Sequence, residues 1–305
     1  MFITTLVTVA IMLLYSVPGF ITIKTKLIKP DAIPAFAKML MYVCQPCLTV
    51  YSFQKADYTP ELGVNILIVF GMGLLLIGSV MGIFYLLFRN KQDIVKYRMA
   101  VLCACFGNVN FIGVPLVEAL LPECAAADIY STVFFIAMNI LGWTVGSTLI
   151  TRDRKYCRPM NIILNPAVLA LVVALPLFFL GIKLPEPLGG AVTLMGRMST
   201  PICMLVLGMR LATVKLAGIF TDPLQYASML AKQVGMPLLA LAVTALLPTS
   251  QELRVCIYIL ASCPVAVVVL NFAEMLGEGQ KESANTVLLG TLLCIVTLPV
   301  MLLLV

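Results

Sequence analysis

Ten stretches of about 20 predominantly apolar residues follow one another along the chain, each long enough to cross a lipid bilayer as a helix. They are Phe2–Ile23, Ala32–Phe53, Leu62–Phe88, Tyr97–Leu121, Ile129–Ile150, Ile162–Ile182, Leu188–Leu211, Leu224–Leu247, Leu253–Leu276 and Ala284–Val305. The connections between them are short and hold most of the charged residues, prolines and glycines. None is long enough for a soluble domain, and no segment is of low complexity. Only 11% of the 305 residues are charged while 61% are hydrophobic, and the mean hydropathy is +1.06. Soluble domains carry about 25% charge, so a water-facing surface cannot be built from this composition. The expected fold is therefore an all-α membrane protein whose solvent is the lipid bilayer.

The formal net charge of +6 is first a matter of orientation. Odd-numbered connections hold Lys24, Lys26 and Lys29, then Arg89, Lys91, Lys96 and Arg98, then Arg152, Arg154, Lys155 and Arg158, then Arg210 and Lys215, and finally Lys281. Even-numbered ones hold only Lys55, Lys183 and Arg254. Positive charge marks the cytoplasmic face, which predicts a multi-pass plasma (inner) membrane protein with both termini extracytoplasmic. Met1 to Ile23 lacks the basic start of a signal peptide and reads as the first span. Charge spent on topology argues for no nucleic-acid partner.

The 10 cysteines are scattered through apolar runs, where a thiol behaves as a small hydrophobe. Cys44/Cys47 and Cys103/Cys105 lack a matching second pair, so no metal is expected. The sequence has no histidine, which removes the commonest general base. Without paired acids either, an intramembrane enzyme is disfavoured.

A faint internal repeat is present. Span 2 carries Cys44-Gln45-Pro46-Cys47-Leu48 and span 7 carries Ser199-Thr200-Pro201-Ile202-Cys203. Spans 4 and 9 each hold a deep proline, Pro115 and Pro264. Five spans per half would invert the second half (157–305) relative to the first (1–156), and interrupted helices in corresponding positions of inverted repeats mark transporter sites. The densest polar cluster inside a span is Phe106-Gly107-Asn108-Val109-Asn110-Phe111-Ile112-Gly113-Val114-Pro115. Pro115 deletes a backbone donor and clashes with the preceding turn, and unsatisfied groups in hydrocarbon cost several kcal/mol each. Asn108 and Asn110 can partner the freed backbone or face a ligand. The counterpart is Ala261-Ser262-Cys263-Pro264-Val265-Ala266, with Asn271 beyond it. If both helices break and cross, two half-helix N-termini converge, an arrangement suited to a carboxylate.

Other polar residues admit two readings each. Asn139 either binds ligand or makes an interhelical hydrogen bond. Glu118 either binds a proton or cation or approaches the outer interface near Glu123. Arg197 in span 7 is costly if central and would pair with an anion or a carboxylate. Lys232 is expected to snorkel to the inner surface. The stripe Gly71, Gly73, Gly78 and Gly82 reads as close helix packing.

These residues resemble the auxin efflux carrier family, which includes bacterial permeases and plant carriers. Asn108 to Pro115-Leu116 is similar to its fourth-helix pattern, Asn139 with Trp143 to its fifth, and Asn165-Pro166, Lys183-Leu184-Pro185, Thr200-Pro201 and Leu207-Gly208-Met209-Arg210-Leu211 to the opening of its second half. Pro264 through Ala273-Glu274, then Leu298-Pro299, resembles its last two helices. The resemblance covers nearly the whole chain. It implies ten helices as two inverted five-helix repeats with helices 4 and 9 broken, the fold of bile acid:sodium symporters. Helices 1, 2, 6 and 7 would form a scaffold that dimerises, and helices 3–5 and 8–10 a transport domain moving as an elevator. Asn108, Pro115 and Pro264 would hold the substrate carboxylate, with Asn139 nearby. The long cytoplasmic loop of the plant carriers is absent, only Thr151 to Asn161 lying between the halves, and no clear sodium site maps.

The expected function is transport of a small organic anion, an auxin-like or dicarboxylic acid. The binding set is Asn108, Asn110, Gly113, Pro115, Asn139, Cys263, Pro264 and Val265, with Glu118 and Arg197 as candidates for ion or proton coupling. No cofactor is expected beyond a coupling ion, H+ or Na+. A receptor using the same pocket without transport is the alternative.

Overall fold

The computed structural model describes residues 2–153, 166–214 and 219–305. Arg154, Lys155, Arg158, Asn165 and Lys215 lie outside the described residues. Among the described residues, seven helices are long and apolar enough to cross a membrane: α1 (Phe2–Lys24), α2 (Pro30–Lys55), α3 (Pro60–Leu87), α5 (Ala127–Thr151), α7 (Glu186–Thr213), α8 (Pro223–Ala245) and α10 (Gln280–Leu304). Between them, α4 is split into Val95–Cys105 and Val109–Leu120, and α9 into Gln251–Ser262 and Val267–Leu276. The sixth expected span is described only from Pro166, as α6 (Pro166–Phe179). The described residues form no β-strand, only one isolated bridge, Gly107 to Val265. Large apolar side chains such as Leu67, Ile83 and Leu86 of α3 and Val172 and Val173 of α6 point outward, as a lipid-facing belt requires.

Three of the prolines inside these spans are absorbed by one recurring device. Wide π-turns at Leu40–Cys44, Val109–Gly113 and Ala231–Gly235 end two residues before Pro46, Pro115 and Pro237. Proline cannot donate to the carbonyl four residues back and clashes with it. A widened turn moves that carbonyl aside, and the proline then sits in the first turn of the next segment, where its missing N–H is harmless.

Helices α1 and α7 touch backbone to backbone. An ideal Cβ on Gly19 would stand 2.1 Å from Leu205 O, and one on Gly208 only 1.8 Å from Ser16 O. Small residues let membrane helices approach this closely. Helices α2 and α7 cross at Gly196, whose Cβ would lie 3.0 Å from Leu48 Cα. The glycine stripe of α3 does not behave as expected. Only Gly73 is tight, 3.0 Å from Ala137 Cβ, whereas Gly71, Gly78 and Gly82 have nothing within 4 Å. Gly78 and Gly82 instead floor a groove of ≈ 660 Å³ shared with α5.

Candidate crossover site

The two broken helices meet at their breaks. Residues 106–108 and 263–266 leave the helical region; Phe106 has ψ 121° and Cys263 ψ 144°. Two backbone hydrogen bonds join them antiparallel: Asn108 N donates to Pro264 O (2.8 Å) and Ala266 N to Phe106 O (2.9 Å). The unwound amides and carbonyls thus find partners in each other, as hydrocarbon demands. Gly107 sits at the joint against Lys232: a Cβ would stand 2.5 Å from Lys232 Cε, so the end of the lysine side chain would have to move.

The breaks correct two expectations. Pro115 does not break α4. It lies in the first turn of Val114–Leu120, downstream of the gap, with the π-turn between. Pro264 does lie within its break, and across the joint it stands level with Asn108, seven residues before Pro115, so the two prolines are not equivalent. Lys232 does not snorkel. Its side chain is wholly buried and Nζ donates to Ala261 O at 2.6 Å. A snorkelling lysine needs a free path to water, and the turn Ala231–Gly235 aims this one into the bundle.

Around the joint, Asn108 and Asn110 are buried, 3% and 1% exposed. Asn108 Nδ2 has no hydrogen-bond partner, and neither does Nδ2 or Oδ1 of Asn110. Asn108 O accepts from Ile112 N and Gly113 N, and Ser131 Oγ of α5 donates to Val109 O at 2.6 Å, fixing the π-turn. An ideal Cβ on Gly113 would lie 3.3 Å from both Cys263 Sγ and Ser131 Oγ, so Gly113, Cys263, Pro264, Val265 and Asn108 are brought together. Asn139 Nδ2 donates within its own helix, to Phe135 O at 3.0 Å. One turn on, Trp143 meets Phe272 edge-on at 4.9 Å, and Phe272 meets Phe106 at 6.4 Å, packing α5 against both breaks.

Two cavities lie beside the second halves of the broken helices. One, of ≈ 320 Å³, is lined by Tyr51, Val114, Pro115, Glu118, Arg197 and Pro201 among others. Arg197 lies over the Tyr51 ring at 5.6 Å. The other, of ≈ 540 Å³, is lined by Lys38, Tyr42, Arg210, Asn271, Glu274 and Gln280 among others. Arg197 and Arg210 are thirteen residues apart on α7, about 20 Å at the helical rise, so the cavities sit at different depths. Ion pairs border both. Lys55 Nζ lies 2.6 Å from Glu118 and 2.5 Å from buried Asp128, and Arg210 pairs with Glu274. The Lys55–Asp128 pair escaped sequence reading, although an aspartate opening an apolar span was its signal; the sequence offered Glu118 no basic partner.

No group of three or more His, Cys, Asp or Glu that could hold a metal occurs among the described residues. The sequence profile described as membrane transport protein matches residues 2–161 and 158–302, nearly the entire chain. The chain belongs to the auxin efflux carrier family. It is a membrane transporter and not an enzyme. No curated protein gives a significant match to this carrier.

Proposed function

We propose that this carrier moves a small organic anion, a carboxylate of auxin-like or dicarboxylic type, bound at the crossover by Asn108, Asn110 and the amides that open the second halves of α4 and α9. The observation that carries the reading is Asn110: a buried side-chain amide whose Nδ2 and Oδ1 both find no protein partner. Leaving such groups unmade in an apolar interior is expensive, and a carboxylate offers acceptors to both asparagine amides. Half-helix N-termini add a favourable dipole. Gly113, Pro115, Asn139, Cys263, Pro264 and Val265 shape the pocket around them.

The proposed architecture is two inverted five-helix repeats, 1–156 and 157–305. Supporting it, Lys55 ends α2 and Arg210 lies in the last turn of α7, 155 residues on. Each pairs with a glutamate on the second half of a broken helix, Glu118 and Glu274, 156 residues apart. Helices α1, α2, α6 and α7 form the scaffold and dimerise, while α3–α5 and α8–α10 move as the transport body. Both ion pairs then span the boundary between the two bodies, and Glu118 and Arg197 stand where coupling to an ion or proton would act. The odd-numbered connections face the cytoplasm of the plasma (inner) membrane.

Radiolabelled indole-3-acetate and succinate, applied to purified protein, test the site. Asn110→Ala and Asn108→Ala are each expected to weaken binding of the accepted acid about tenfold or more, the value of a hydrogen bond to a charged group. Unchanged binding in both variants would place the anion elsewhere.

A further inference from the structure

Lys232 is the one lysine wholly buried among the described residues, and no carboxylate among them lies within ion-pair distance of it. Its Nζ is held by Ala261 O at 2.6 Å, next to the last residue of the first half of α9. Its other flank lies on Gly107, where an ideal Cβ would come within 2.8 Å of Nζ, two residues past the end of the first half of α4. The ammonium therefore sits among the C-terminal ends of two half-helices, the negative ends of their dipoles. Unwound carbonyls and half-helix C-termini at such a break are where a membrane carrier binds its coupling cation.

We propose that Lys232 is a tethered cation occupying the place of a bound sodium ion at this crossover, so that the carrier's anion site is charged by its own side chain. A sodium ion has no room there while the lysine stays: Cε and Nζ already press on Gly107, and the carbonyl it would take is engaged. An ammonium with no carboxylate partner leaves the crossover one positive charge in excess, which an anionic cargo balances. The last step rests on the carboxylate reading above; the exclusion of sodium does not.

The test uses the full chain, purified in detergent, and follows its thermal midpoint as sodium chloride replaces choline chloride at constant total salt. No substrate is present, so the outcome is independent of whether Asn108 and Asn110 bind a carboxylate. The wild-type midpoint is expected not to move. Lys232→Ala frees the Ala261 carbonyl and opens space beside Gly107, and its midpoint is expected to rise roughly 2–4 °C as sodium saturates. Lys232→Arg keeps a charge there and should remain indifferent. A saturable, sodium-specific rise in the wild type overturns the proposal, and so does a folded Lys232→Ala that does not distinguish sodium from choline. If Lys232→Ala does not fold, the wild-type titration decides alone: flat supports it, saturable rise refutes it.

Discussion

Gly208→Ala is expected to lower the thermal midpoint of the detergent-purified carrier by roughly 10 °C, about 3 kcal/mol or more of lost stability. The added methyl would stand 1.8 Å from Ser16 O and 2.7 Å from Ser16 C. Those are backbone atoms of α1, so no rotamer change relieves the overlap; the helices themselves must part. Parting them also loosens the reciprocal contact of Gly19 with Leu205. Compare Gly107, where the first atoms met belong to a flexible lysine end, or Gly78, which has nothing within 4 Å. Gly78→Ala should leave the midpoint within about 1 °C of wild type or raise it slightly through helix propensity. Thermal unfolding followed by size-exclusion chromatography reads all of these. A Gly208→Ala protein as stable as wild type would show that α1 and α7 are not in backbone contact.

Lys55→Ala is expected to destabilise by about 2 kcal/mol, somewhat below the 3–5 kcal/mol of breaking a fully buried pair because the Lys55 side chain is partly open to water. Its side chain is 30% exposed, that of Asp128 only 2%. Removing the ammonium strands the Asp128 carboxylate inside the bundle, beside a second carboxylate at Glu118. The double variant Lys55→Ala/Asp128→Asn should recover most of the loss, since the stranded charge is gone. Glu118→Gln alone should cost little, because a third of that side chain is exposed. Should the double variant be no more stable than the single one, the loss has another origin, such as the Lys55 ammonium's place over the Tyr51 ring, 5.1 Å from its centroid.

Much of this was legible in the sequence, unevenly. The spans follow from length and hydropathy, and the crowding of Gly107, Asn108, Asn110 and Gly113 pointed to the right helix. The proline rule then misplaced the break. A π-turn can accommodate Pro115 within a continuous helix, and what unwinds residues 106–108 is pairing with a partner 158 residues away, which no local pattern encodes. Lys232 was misread for a related reason. Snorkelling depends on which face of α8 a lysine occupies, and an apolar run leaves that face unmarked. The α3 stripe looked like a packing motif through spacing alone, while the glycines that do bring backbones together, Gly19 and Gly208, stand singly on helices far apart in the chain.

The antiparallel joint at Gly107 and Val265 is made of main-chain atoms. Apart from the bare α-carbon at 107, its two hydrogen bonds ask nothing of the side chains at 106–108 and 264–266. Chemical taste and mechanical frame are thereby separable in this protein. Asparagines, aromatics and thiols around the crossing can be exchanged for others, one lineage after another, while the frame that presents them stays as it is. Diversification of cargo in a carrier built this way requires only local revision.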